Sequence, residues 1–124
     1  MSKFNKLYES LLNEGVKIDW KKVDNFMKKN GYRGGEEDPD ENGIVASYSG
    51  KGPNGNYTID LRTIDPFEGE ELDGVVAITY MGPASDEGYP GYVSNTKEAL
   101  TNLKAAIDFI NGDIEQEEYE DIVL

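Results

Sequence analysis

The chain reads as an α+β protein: a small three-stranded, or four-stranded, antiparallel sheet with two N-terminal helices and one C-terminal helix, in two layers. Three observations predict this. Apolar residues recur at helical spacing toward both ends, they alternate with polar residues in the middle, and clusters of Gly, Pro, Asn and Asp separate the runs. A length of 124 residues fits one domain, 1–124.

In residues 2–14, Phe4, Leu7, Tyr8, Leu11 and Leu12 share a helical face behind a Ser2 cap, and Gly15 is a natural stop. Asp19 is placed to cap a second helix. Trp20, Val23, Phe26 and Met27 line its inner side, and Lys21, Lys22, Lys28 and Lys29 stay in water. Lys28 and Lys29 complement the helix dipole, and Asn30-Gly31 ends the helix. Residues 34–43 (GGEEDPDENG) read as a loop. Three strands follow, at 44–49, 57–64 and 75–81. In the second, Tyr57, Ile59 and Leu61 alternate with Thr58, Asp60 and Arg62; the third is the most apolar and is expected at the centre. Residues 50–56 (GKGPNGN) suit a hairpin tip, whereas 65–74 and 82–92 are long links. Asn95 and Glu98 have capping-box spacing before a third helix with Leu100, Leu103, Ile107 and Ile110 on its buried side, closed by Asn111-Gly112. Residues 113–124 form an acidic tail for which a short helix, an extra strand and a flexible chain all remain open.

Charge is divided unevenly. Residues 1–33 hold eight Lys/Arg against four Asp/Glu, residues 34–93 two against thirteen, and residues 94–124 two against eight, summing to −13. Such a balance argues against direct nucleic-acid binding, which needs cations for phosphate, and fits a protein partner with a basic surface. There is no Cys and no His. That removes thiolate nucleophiles, disulfides, Cys-based zinc sites and the usual general base near neutral pH. No apolar run has the length of a membrane span, and no apolar leader marks secretion, so a cytoplasmic setting without membrane contact is expected. Composition says nothing about oligomeric state.

The sharpest local pattern is Asp38-Pro39-Asp40-Glu41-Asn42-Gly43, a D-x-D-x-N-G run that is similar to the first half of an EF-hand calcium loop. Asp38, Asp40 and Asn42 would supply hard oxygen ligands. Counted from Asp38, however, Ser49 stands where a bidentate Glu belongs, and a strand follows instead of a helix. A solvated acidic turn is the plainer reading, so no cofactor is expected, with calcium as the exception to test. Glu36, Glu37, Asp38, Asp40 and Glu41 in one loop and Glu68, Glu70, Glu71 and Asp73 in another are the candidate partner-binding carboxylates. Tyr89 and Tyr92 are candidate aromatic contacts, or cover for a sheet edge. Glycoside hydrolysis needs two carboxylates held across a cleft, whereas most acids here lie in loops beside other acids and Asp60 sits on a strand near Arg62, so no enzymatic activity is expected.

The opening fourteen residues, MSKFNKLYESLLNE, resemble the amphipathic leaders of small accessory and internal head proteins of large contractile-tailed bacteriophages. In that family a phage protease cuts after Leu/Ile-x-Glu. Leu12-Asn13-Glu14 before Gly15 matches, so the resemblance implies cleavage between Glu14 and Gly15. The expectation is a non-enzymatic acidic binding protein, phage-encoded, that contacts a basic host protein, in its strongest form as a nucleic-acid mimic. The alternatives are a head-internal structural protein with a cleavable leader, and a calcium-binding module.

Overall fold

The computed structural model describes residues 15–37, 43–83 and 91–123. They form an antiparallel sheet of five strands, β1 (Arg33–Glu36), β2 (Ile44–Gly52), β3 (Gly55–Arg62), β4 (Val76–Met81) and β5 (Gly91–Val93), paired in chain order. Three helices accompany it: α1 (Trp20–Lys29), α2 (Thr96–Ile110) and α3 (Gln116–Val123). The protein is therefore α+β, with more strands than the sequence reading allowed. The first expected helix, residues 2–14, lies outside the described residues.

The register sorts the side chains by face. Tyr48, Ile59 and Tyr80 oppose one another across β2, β3 and β4, as do Ala46, Leu61, Ile78 and Gly91 across four strands. All of these side chains are buried, with Tyr48, Ile59 and Leu61 at 0% exposure. The next row, Ser47, Asp60 and Thr79, sits on the other face. There Ser47 Oγ donates to Asp60 Oδ1 at 2.6 Å, and Arg62 reaches both Thr79 Oγ1 (3.3 Å) and Asp60 Oδ2 (3.5 Å). One sheet face is thus apolar and the other is a polar ladder, which is the period-2 alternation made physical.

All three helices lie on the apolar side: α1 against β1 and α2, α2 against β4 and β5, and α3 against α2. Asp19 caps α1 as expected, its Oδ1 accepting from Lys21 N at 3.1 Å and Lys22 N at 3.3 Å. Trp20, Val23 and Met27 are buried against the sheet and Phe26 packs at the margin. Asn95 caps α2 through Glu98 N at 2.9 Å, and Glu98 reaches back to Ser94 N at 2.9 Å, one residue before the cap. Asn102 of α2 comes so close to Gly91 that a Cβ there would stand 1.8 Å from Asn102 Oδ1. Only glycine permits that spacing between helix and strand.

Three expectations are corrected. Residues 33–36 are a strand at the sheet edge, not the start of a loop. Gly91 and Tyr92, expected in the 82–92 link, belong to the strand Gly91–Val93. The centre of the sheet is β3; the more apolar β4 lies one place toward the β5 edge. β4 reads as apolar because its outward position 77 is a buried Ala, whereas β3 puts Asp60 and Arg62 on the polar face. The acidic tail is the helix α3, anchored by Tyr119 at 3% exposure.

Candidate functional site

β3 and β4 are joined by residues 63–75, which carry Asp65, Glu68, Glu70, Glu71 and Asp73 and no Lys or Arg. The loop folds on itself. Leu72 N donates to Thr63 O at 2.8 Å, Asp65 N to Glu70 O at 2.8 Å and Gly69 N to Asp65 O at 2.9 Å, and Ile64 bridges Glu71. Asp65 organises the tip: its Oδ1 accepts from Phe67 N at 2.8 Å and Glu68 N at 3.4 Å, the local turn that an Asp side chain makes with its own following backbone. Thr63 N donates to Gly43 O at 2.9 Å and ties the loop to the start of β2.

Tyr92 on β5 lies beside the Asp65 carboxylate. Its hydroxyl pKa lies above the ordinary tyrosine value, first through partial loss of solvent, then through the charge and hydrogen bond of Asp65 and the charge of Glu68. Tyr92 thus flanks the acidic loop and is still 40% exposed. At the tip Phe67 is 71% exposed, the most exposed large apolar side chain among the described residues. Glu68, Glu70, Glu71 and Asp73 are exposed around it. The arrangement offers carboxylates able to accept arginine in a bidentate way and an apolar ring able to enter a pocket.

Of the other expected contacts, Glu37 is exposed at the same end of the sheet, where its N–H donates to Val45 O at 2.9 Å. Glu36 is half-buried and faces inward, close enough to Tyr48 to affect its ionisation. Asp38, Asp40, Glu41, Asn42, Tyr89 and Glu14 lie outside the described residues; Gly15 is exposed in a turn. Among the described residues no group of three acidic side chains converges in a way that could hold a metal ion.

Sequence reasoning missed two residues. Phe67 carried no periodicity to mark it, but an aromatic residue inside an acidic, Pro- and Gly-containing link (DPFEGEELDG) is out of place unless it turns outward. Asp24 stands on the inner half of α1, 8% exposed. Lys28 Nζ donates to its Oδ2 at 2.7 Å and the Tyr48 hydroxyl to its Oδ1 at 3.1 Å. Burial, then the charge and hydrogen bond of Asp24, then the charge of Glu36 hold the Tyr48 pKa well above the ordinary tyrosine value. The i,i+4 spacing of Asp24 and Lys28 was the available signal. This cluster ties α1 to the sheet.

Fold and site together define a small α+β protein that presents a hydrogen-bonded acidic loop with an aromatic tip. No protein-family model, no curated protein and no solved structure matches the chain.

Proposed function

We propose that this is a non-enzymatic acidic binding protein, a phage accessory protein whose 65–73 loop contacts a basic surface on a host protein. The observation that carries the reading is Phe67, 71% exposed at the tip of a loop held by its own backbone hydrogen bonds and edged with carboxylates. An ordered loop loses little conformational entropy on binding, so its contacts count toward affinity. The carboxylates raise the rate of encounter with a cationic partner and the ring supplies a desolvated anchor. In the strongest form the carboxylates stand in for the phosphates of a nucleic acid. The resemblance of residues 1–14 to phage leaders supports the origin.

The test is a pull-down from bacterial lysate with the wild-type chain, with E68Q/E70Q/E71Q/D73N and with Phe67→Ala, each eluted by a salt gradient. A basic nucleic-acid enzyme held by the wild type and lost by both variants is expected. Its release should come as the Debye length shrinks from about 8 Å at physiological salt toward about 3 Å at 1 M. Equal capture by all three proteins would remove the loop from the binding surface.

A further inference from the structure

A cleft of about 570 Å³ opens at the opposite end of the sheet from the acidic loop, between the β2–β3 turn and the corner where α2 passes to α3. Its walls include Tyr57, Tyr80 and Phe109, and its polar lining comes from the amides Asn54, Asn111 and Gln116. The volume falls in the range of small-molecule sites, about 300–1,000 Å³. Among the described residues no charged side chain lines it.

Three independent features set the sign of charge this cleft accepts. The first is the end of α2. Phe109, Ile110, Asn111 and Gly112 bring the helix C-terminus to the cleft, and its last turn holds no basic residue to offset the negative end of the dipole. The second is the surrounding sequence: residues 105–124 carry seven Asp/Glu and no Lys or Arg. The positive end of α3 also reaches the cleft through Gln116, but Glu117 and Glu118 occupy its first turn and offset it. Lys104, the nearest cation on α2, is engaged by Asp108 at 2.6 Å. The third is the wall itself. Tyr57, Tyr80 and Phe109 line it, the face of an aromatic ring attracts a cation, and the amides of Asn54, Asn111 and Gln116 carry oxygens that accept from ammonium or guanidinium groups. Lys51, on the neighbouring strand, alternates with the inward Gly50 and Gly52 and so belongs to the other face of the sheet.

We propose that this cleft is a binding site for a small organic cation bearing a guanidinium or alkylammonium group. An anionic ligand such as a nucleotide meets the wrong field there. The site is separate from the acidic loop and does not depend on the function proposed for it.

The test uses the full chain, labelled with ¹⁵N, and two probes that differ in charge but hardly in shape: N-acetyl-arginine amide and N-acetyl-citrulline amide. The arginine probe should move the backbone resonances of Asn54, Asn111, Gly112 and Gln116 saturably at physiological salt. The citrulline probe should bind about ten-fold more weakly or less, as expected when charge and ring attraction are lost together. Gln116 is exposed, so Gln116→Lys leaves the fold intact by circular dichroism and places a cation at the rim. It should weaken the arginine probe about five-fold, and Gln116→Glu should tighten it. Equal binding of the two probes would overturn the proposal. So would shifts spread over α3 and the 65–73 loop without saturation, or indifference to both Gln116 variants.

Discussion

At Asp24 a nearly buried carboxylate accepts from Lys28 on one oxygen and from Tyr48 on the other. Removing the phenol hydroxyl with Tyr48→Phe leaves the ring packing unchanged and takes away the buried donor. The expected loss is about 1.5–3 kcal/mol of unfolding free energy, the range for a hydrogen bond to a charged group, read as a lower urea midpoint at unchanged slope. Phe67 makes the opposite case. Its ring is mostly in water, so Phe67→Ala should leave stability within about 0.5 kcal/mol of the wild type while abolishing capture of the basic partner. A stability loss beyond that, measured in the same urea titration, would mean that the ring is packed and is not a free anchor. The two residues were differently hidden in the sequence. Asp24 looked like another wet charge on a helix, because burial of an acid depends on a tyrosine twenty-four positions away. Phe67 looked like a loop residue with no face to belong to.

Strands and helices differed in how plainly the sequence announced them. α1, α2, β2, β3 and β4 each carry periodic apolar residues, and both helix caps are local in sequence, so each was legible. β1 was not, because Arg33-Gly34-Gly35-Glu36 has no apolar side chain and two residues of low strand propensity. Its place in the sheet is nonetheless demanding. Gly34 pairs with Tyr48 at φ +134°, and a Cβ there would stand 2.0 Å from Ser47 O, a backbone atom that cannot step aside. Gly34→Ala should therefore cost about 1–3 kcal/mol and raise amide exchange along β1, while the β2–β3 hairpin keeps its protection. Unaltered exchange in β1 would show that the edge tolerates a side chain. β5 was hidden by its length of three residues, too short for alternation to register. α3 was left open because its acids mask its few points of hydrophobic attachment, Tyr119 foremost and Val123 at its end. Tyr119 stacks on Phe109 with ring centroids 5.2 Å apart and meets Tyr80 edge-on at 5.6 Å. Tyr119→Ala should destabilise by about 3–5 kcal/mol, as other large aromatic truncations in cores do, and free α3 to exchange first. It also tests whether the cation cleft needs α3 in place, since Gln116 would leave with it.

Across the whole molecule the core is unusually rich in phenols, and this sets its response to alkali. Tyr32, Tyr48 and Tyr119 are all less than a tenth exposed, and burial is the first cause raising each pKa above the ordinary tyrosine value. In the unfolded chain the same phenols lose their protons near pH 10. Below that pH both states hold them, and their contribution to stability is fully present. Above it the unfolded chain binds fewer protons than the folded one, so stability falls as pH rises, and each contribution is spent once pH passes the folded value. Titration of these phenols should leave the thermal midpoint level from about pH 7 to about pH 9.5 and make it drop steeply beyond. Phenolate absorbance gives the matching signature. The buried Tyr32, Tyr48 and Tyr119 should ionise together with unfolding. The net charge of −13 also grows more negative in alkali, and self-repulsion would lower the midpoint as well. High salt separates the two causes, because it screens surface repulsion and leaves buried phenols unaffected. A midpoint drop that survives 1 M salt, with a cooperative late phenolate step, assigns the alkaline limit to the tyrosine core. Ionisation of Tyr32, Tyr48 and Tyr119 near pH 10 in a folded chain would contradict it.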